Sequence, residues 1–277
     1  MGTDGSAFSL AQGLGHEVHK PFAALTPLLG SHPGTDRLAG VSLEVALQVA
    51  SRKNEAGRPL DESNLKPKKK RKKTQLKEAT REGFLFTHKG YSGPAVLDLS
   101  HHFVQHMEGL ATASHPELLV NWANKSEQEW KQILDPSAGG GGILVANKLR
   151  TALPQRLALA LCEELGIGGC RLAELTRQNH AELLNALVRF PLNITGHAGL
   201  DKAEVTGGGI ALHEINTSTM ESRLHKNIFL CGEVLDCFGR IGGFNFYFAW
   251  VTGRLAGKAA AASMHRSLNA AQDLVMP

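Results

Sequence analysis

The chain has 277 residues, of which 42% are hydrophobic, 20% charged and 6% aromatic, and its formal net charge is +4. This composition leaves ample material for a hydrophobic core in one large or two modest domains. No apolar stretch approaches the roughly 20 residues that span a bilayer, and the four cysteines form no C-x-x-C motif. We therefore expect a soluble protein, and neither a membrane protein nor a secreted disulfide scaffold.

The first 50 residues predict a short helix followed by strand-forming sequence. Residues 6–16 have helical character and reach Gly15, which is suited to ending a helix. From Pro21 onward, prolines and glycines alternate with apolar pairs, and residues 38–50 alternate valine and leucine with other residues. This pattern is typical of a small mixed β domain.

Residues 51–80 predict an exposed insertion. They contain little to bury, and residues 67–73 read Pro-Lys-Lys-Lys-Arg-Lys-Lys. Like charges at this density stay solvated, so a solvated loop is the favoured interpretation. The run also resembles a nuclear localisation signal and could contact nucleic-acid phosphates, although no aromatic residue is interleaved for base stacking. We expect no nucleic-acid partner.

The middle of the chain predicts a strand and then a series of helices. Residues 83–87 read as a strand, and the turn at 90–94 starts a helix from about Ala95 to His102. Residues 116–190 have helical character, with a capping-box pattern at 126–129. His102 and His106 are four residues apart, but without an obvious cysteine or carboxylate partner they predict no metal site.

The last part of the chain carries the most specific pattern. Residues 191–206 have strand character, residues 207–209 predict a tight turn, and residues 211–215 and 228–231 predict short strands. An acidic turn with Glu233 and Asp236 follows, and then Gly242 and Gly243 open a long small-residue helix. Carboxylates accept hydrogen bonds from hydroxyls, glycines let backbone approach a flat ring, and a helix N-terminus favours negative charge. The pattern predicts the flavin end of an FAD site.

Four stretches resemble one known family. The segment from Gly232 to Asn245 resembles a GE-x-LD-x-x-G-x-x-GG-[YF]-N signature, and residues 86–95 resemble FTH-x-G-x-SGPA. Residues 204–209 resemble V-T-x-GG, and residues 5–28 resemble Gly-x-x-x-A-x-x-x-GH and P-A-L-x-P-L segments. Together they resemble the aminoacetone-oxidase-like NAD(P)/FAD-dependent oxidoreductases across nearly the whole chain except residues 55–80.

This resemblance implies a fold class of α/β plus α+β. It implies a remnant of an FAD-binding domain at 1–18, a β-rich substrate domain at 19–103 and 191–205, and a helical subdomain at 104–190. The C-terminal segment of the FAD-binding domain, of the two-dinucleotide-fold type, would span 206–277. In the family, a strand–G-x-G-x-x-G–helix unit precedes all these segments, and this chain lacks it. We expect a C-terminal majority of a flavoprotein, with a truncated gene model favoured over an alternative start or a shortened product.

The resemblance also implies the site. Expected cofactor contacts are Thr206, Gly207, Gly232, Glu233, Asp236, Gly242, Gly243, Phe244 and Asn245. His88 is the candidate for substrate contact or proton transfer, with a structural hydrogen bond as the alternative.

The expected function is an FAD-dependent oxidoreductase, or the C-terminal portion of one, acting on an unidentified small molecule, with NAD(P)H as a possible electron donor. The alternative is a catalytically inactive remnant that interacts with nuclear or nucleic-acid partners through residues 67–73. The expected location is the cytoplasm or an organelle, with the nucleus open because of the basic run.

Overall fold

The protein is described by a computed structural model that covers residues 4–34, 38–51, 75–111, 115–138 and 141–273. The basic run 67–73, and with it most of the insertion expected at 51–80, lies outside these residues. The fold is mixed α/β and divides into two compact units. Unit 1 comprises Met1–Thr26 and Gly199–Pro277, and unit 2 comprises Pro27–Ala198.

The helices and strands follow one another along the chain in a mixed order. In order, they are α1 (Ser6–Gly13), β1 (Val18–Ala24), β2 (Leu28–Leu29), β3 (Ser42–Ser51), β4 (Gln75–Thr87), β5 (Gly90–Ser92), α2 (Pro94–Met107), β6 (Pro116–Trp122), α3 (Glu127–Ile133), α4 (Val145–Leu149), α5 (Gln155–Glu164), α6 (Arg177–Val188), β7 (Phe190–Leu192), β8 (Gly196–His197), β9 (Val205–Ile210), β10 (Ile215–Asn216), β11 (Glu221–Ser222) and α7 (Phe244–Asp273).

Unit 2 is built on a seven-stranded antiparallel sheet in the order β7-β6-β3-β4-β5-β2-β8. The expected strand over residues 38–50 is confirmed by β3, which pairs with β4 on one side and β6 on the other. Fully buried aromatic residues pack on this sheet, and the ring of Phe86 stacks on that of Trp122 with their centroids 5.9 Å apart. Burying one such side chain contributes about 1.5–3 kcal/mol, so these rings anchor the unit.

The helices of unit 2 follow their local signals, with one exception. The capping box is confirmed at the start of α3, where Ser126 Oγ accepts the Glu129 N–H at 3.2 Å and the Glu129 carboxylate accepts the Ser126 N–H at 2.7 Å. The prediction of helix from residue 116 is wrong at β6, which is a central strand. Its apolar run Leu118–Val120 is compatible with either structure, and pairing with β3 decides for the strand.

Unit 1 contains a two-stranded antiparallel pair, β1 with β9, a second short pair, β10 with β11, and the 30-residue helix α7. The predicted tight turn at 207–209 is wrong, because these glycines lie inside β9. The strand predicted at 211–215 is also wrong for most of its length, since Leu212–Glu214 forms a 3-10 helix. Residues 228–231 form only one isolated bridge, between Phe229 and Glu221.

The first turns of α7 present large apolar side chains to solvent. Phe246, Tyr247 and Trp250 are 69%, 67% and 73% exposed. Phe246 and Trp250 are one turn apart, and their ring centroids are 6.4 Å from each other. Among the described helices, none combines the length and the apolar character that crossing a bilayer requires.

Candidate functional site

The acidic turn of unit 1 is held in place by α7. Gly232 has a φ of 72°, a left-handed conformation that favours glycine, and it begins the 3-10 helix Gly232–Val234. Its buried N–H donates to Thr252 Oγ1 at 3.0 Å, and the Thr252 hydroxyl in turn donates to the Phe248 carbonyl at 2.7 Å. Thr252 thus ties the turn to the helix, a contact that the sequence pattern did not indicate.

The two carboxylates of this turn have different partners. Glu233 Oε1 accepts the backbone N–H of Thr206 at 2.7 Å, which connects the turn to β9. Asp236 Oδ2 lies 2.6 Å from Nδ1 of His19 on β1. Glu233 lines a cavity in unit 1, whereas Asp236 is engaged by the histidine instead.

This cavity has a volume of about 270 Å³. Its walls combine the acidic turn, the start of α7 and apolar residues, among them Leu25, Val205, Glu233, Gly242, Gly243 and Phe246. This volume is just below the roughly 300–1,000 Å³ typical of sites for whole small molecules. The cavity therefore suits a ring system with a short polar chain rather than an entire dinucleotide.

The glycine pair shapes the start of α7. Gly242 and Gly243 have φ values of 109° and 89°, which other residues adopt only with strain. The Gly243 carbonyl accepts the Tyr247 N–H at 3.0 Å, so Gly243 is the residue that precedes the helix. The N–H groups of the first turn, which have no partner within the helix, and the positive end of the helix dipole lie at the cavity wall, where Asn245 and Phe246 are found.

Asn245 stabilises the loop before α7. Its Oδ1 accepts the Gly239 N–H at 2.7 Å, and its Nδ2 donates to the Gly239 carbonyl at 3.1 Å. Its side-chain amide is therefore used to fix the loop, although the residue also lines the cavity.

The glycines of β9 have a packing role. A Cβ on Gly207 would lie 2.3 Å from the ring of Phe22, its neighbour on β1. A Cβ on Gly209 would lie 2.6 Å from the Val234 carbonyl oxygen. These glycines let the ring and the acidic turn approach the strand closely, and Gly207 does not line the cavity.

Three other expectations have these outcomes. His88 lies in unit 2, exposed in the turn between β4 and β5. His102 and His106 join no group of three metal-ligating side chains in the described part of the chain.

All four cysteines are free thiols, and Cys237, which the site prediction omitted, lines the cavity. Burial and the neighbouring Asp236 raise the pKa of the Cys237 thiol, so it is protonated at neutral pH.

The residues around the cavity fit the flavin end of FAD. They supply a carboxylate that can accept hydrogen bonds from hydroxyls, a helix N-terminus, which favours negative charge, and apolar walls for a ring. A pyrophosphate site of the G-x-G-x-x-G kind needs parallel strands joined by a helix. Among the described residues, parallel pairing is limited to one bridge, between Ile210 and Leu235.

A family model described as "HI0933-like protein Rossmann domain" matches residues 1–259. The chain belongs to the HI0933-like family. This is an FAD-binding family of NAD(P)/FAD oxidoreductases, so the family expected from the sequence resemblance is confirmed.

Curated relatives extend the comparison. Over 172 residues, this HI0933-like chain is 34% identical to "Ribosomal RNA dihydrouridine synthase" of Escherichia coli strain K12, covering 61% of the chain and 40% of the relative. It is 29% identical over 269 residues to "3-dehydro-bile acid delta(4,6)-reductase" of Clostridium scindens, covering 94% of the chain and 59% of the relative. It is 27% identical over 254 residues to "Ribosomal RNA dihydrouridine synthase" of Haemophilus influenzae, covering 90% of the chain and 54% of the relative. The matches therefore span 40% to 59% of the length of these relatives.

Proposed function

We propose that the cavity of unit 1 binds the ring and ribityl chain of FAD, and that the chain serves a flavin-dependent reduction. The observation that carries this proposal is the meeting of the Glu233 carboxylate with the N-terminus of α7 at one cavity. Each of these features is common alone. Together they match two parts of the flavin: the carboxylate suits the ribityl hydroxyls, and the helix N-terminus suits the electron-accepting ring.

The residues have separate roles in this proposal. Glu233, fixed by the Thr206 N–H, accepts a hydrogen bond from a ribityl hydroxyl. The backbone N–H groups after Gly243 face the edge of the ring where a reduced flavin gathers negative charge. Gly232 and Thr252 hold the turn at a constant distance from the helix. Asp236 contributes indirectly, because its carboxylate is paired with His19.

The names of the relatives support a proposal for the substrate class. Forming dihydrouridine and reducing one double bond of a delta(4,6) 3-oxo compound both add two hydrogens across a carbon–carbon double bond conjugated to a carbonyl. We propose that this chain acts on a substrate with the same conjugated group. When bound, reduced FAD supplies the hydride equivalent, and the protein orients the substrate and supplies a proton. His88 is our candidate for proton transfer, and NAD(P)H is our candidate electron donor.

Anaerobic mixing tests this proposal. The chain would be loaded with chemically reduced FAD and mixed with a conjugated dienone steroid or with uridine-containing RNA, and the return of the oxidised flavin absorbance would be followed. We expect reoxidation by one of the two probes, and slower reoxidation for His88→Ala. Reoxidation by neither probe, with flavin bound, would reject the substrate class and leave the binding proposal standing.

The alternative of an inactive interaction protein that acts through residues 67–73 receives no support from the comparisons. The basic run at residues 67–73 lies outside the described residues. An RNA substrate is included in the test above because two relatives are named for a ribosomal RNA product.

A further inference from the structure

A second group of chemically active side chains lies in unit 1, apart from the residues that line the cavity. Imidazoles and carboxylates alternate in it, and we call it the histidine–carboxylate cluster; its members are His16, Glu17, His19, His213, Glu214 and Asp236. None of the six lines the flavin cavity. The proposed reduction leaves their chemistry unused.

The strand pairing explains why these residues meet. Glu17 directly precedes β1 and His19 is two residues later, so in extended chain their side chains point to the same side. The Ala211 N–H donates to the Glu17 carbonyl at 3.0 Å, which brings the 3-10 helix with His213 and Glu214 alongside.

The acidic turn adds the last member. His19 pairs with Gly209 across the two strands, and Gly209 has no side chain to keep the turn away. Asp236 therefore reaches His19.

The distances converge on Glu17. Its Oε1 lies 3.1 Å from His19 Nε2, and its Oε2 lies 3.6 Å from His213 Nε2. Glu214 is adjacent, since its Oε2 accepts the Glu17 N–H at 3.0 Å. One ligating atom from each of Glu17, His213 and Glu214 lies within 4.8 Å of the other two. Nitrogen and oxygen ligands so close together form a set that Zn²⁺ accepts.

Outer partners orient two of these residues. Asp236 Oδ2 lies 2.6 Å from His19 Nδ1, and His19 Nε2 lies 3.1 Å from Glu17 Oε1, so the imidazole links the two carboxylates and fixes that of Glu17. Carboxylates that bind a metal are commonly held by such outer hydrogen-bond partners.

Glu214 is oriented from the buried side. The His16 side chain is 0% exposed; its Nδ1 lies 2.6 Å from Glu214 Oε2 and its Nε2 lies 3.0 Å from Ser222 Oγ. Ser222 Oγ already accepts the N–H groups of Leu224 and His225, so its hydroxyl proton is donated to Nε2. Nδ1 of His16 therefore donates to Glu214, which orients that carboxylate.

We propose that Glu17, His213 and Glu214 bind a divalent metal ion of the zinc class, with a water molecule as the fourth ligand. The site would be tetrahedral, with one imidazole nitrogen, two carboxylate oxygens and one water oxygen. His19, Asp236 and His16 are positioning residues for it and do not touch the metal. This proposal is independent of flavin binding.

Metal titration tests the site. The whole chain would be stripped with chelator and titrated with Co²⁺, whose visible absorption is intense in tetrahedral sites, and Zn²⁺ would then be added as a competitor. We expect one Co²⁺ per chain and its displacement by Zn²⁺. Substitutions His213→Ala and Glu17→Gln should each weaken the apparent Kd by roughly 10- to 100-fold or more. Both side chains are more than half exposed, so the fold should tolerate these changes.

The control is a double variant at the other histidine pair, His102→Ala with His106→Ala, which should leave Co²⁺ binding unchanged. A Co²⁺ spectrum that survives both His213→Ala and Glu17→Gln, or that disappears in the control, would overturn the proposal. Absence of stoichiometric binding by the unaltered chain would also overturn it. Circular dichroism of each variant confirms that the fold is retained.

Discussion

Replacing Thr252 with valine should loosen the acidic turn, and the structure gives the size of the expected loss in free energy. Valine has nearly the shape of threonine, and Thr252 is 5% exposed, so packing is almost unchanged. The buried Gly232 N–H loses its acceptor at 3.0 Å. A buried donor left unsatisfied costs about 1–3 kcal/mol, which corresponds to roughly 5- to 150-fold in an opening equilibrium.

Urea denaturation gives the free energy of unfolding, and hydrogen exchange at the Gly232 amide gives the local opening. Thr252→Ser is the control, because it keeps the hydroxyl and removes one methyl group, worth about 0.8 kcal/mol. We expect faster exchange at Gly232 in the valine variant than in the serine variant. If the two variants have equal exchange at Gly232 and the valine variant is as stable as the native chain, the hydrogen bond does not hold the turn.

Three further predictions test the packing and the titrating groups of both units. Ser126→Ala should cost about 1 kcal/mol in urea denaturation at neutral pH. The hydrogen bonds from Ser126 also lower the pKa of Glu129, so the part of the stabilisation that involves this carboxylate is present above the ordinary carboxyl pKa of 4.5 and should fade in acid; an equal difference at pH 7 and in strong acid would contradict this. Burial raises the pKa of Cys162 to about 12, so mass spectrometry after alkylation in mildly alkaline buffer should find this thiol unmodified until the chain is unfolded. Gly207→Ala should destabilise by about 1–3 kcal/mol because its Cβ would strike an aromatic ring at 2.3 Å, whereas Gly253→Ala, with open space in α7, should stabilise by about 0.5–1 kcal/mol. The midpoint temperature of thermal unfolding should fall for Gly207→Ala and rise for Gly253→Ala.

Local signals predicted the elements that depend on nearby residues. The glycine pair at 242–243 and the small residues after it predicted α7, and the capping box predicted α3. These signals act within a few residues, so the sequence shows them directly. The acidic turn was also expected, and Glu233 lies at the cavity.

Contacts between distant residues could not be predicted in this way. The partner of Asp236 is His19, 217 residues away, and the partner of Gly232 is a threonine on α7. The glycines at 207–209 indicated a turn, but the ring of Phe22 and the backbone of the acidic turn occupy the space beside them in β9. Such close approaches depend on how β1 and α7 pack, and a single sequence does not display them.

The prediction of helix over 116–122 failed for a related reason. Leu118, Leu119 and Val120 form an apolar run that suits a buried helix or a central strand equally well. Pairing with β3 on one side and β7 on the other satisfies the backbone hydrogen bonds of β6 and selects the strand.

Flavin titration of the purified chain tests the central claim most directly. Riboflavin and FAD would be added separately, and quenching of flavin fluorescence would be measured for the native chain, for Glu233→Ala and for the remote control Glu127→Ala. A cavity that holds only the flavin head predicts saturable binding of both ligands with similar affinity, weakened by Glu233→Ala and unchanged by Glu127→Ala. No saturable quenching by either ligand, or equal binding by Glu233→Ala, would contradict the assignment of this cavity.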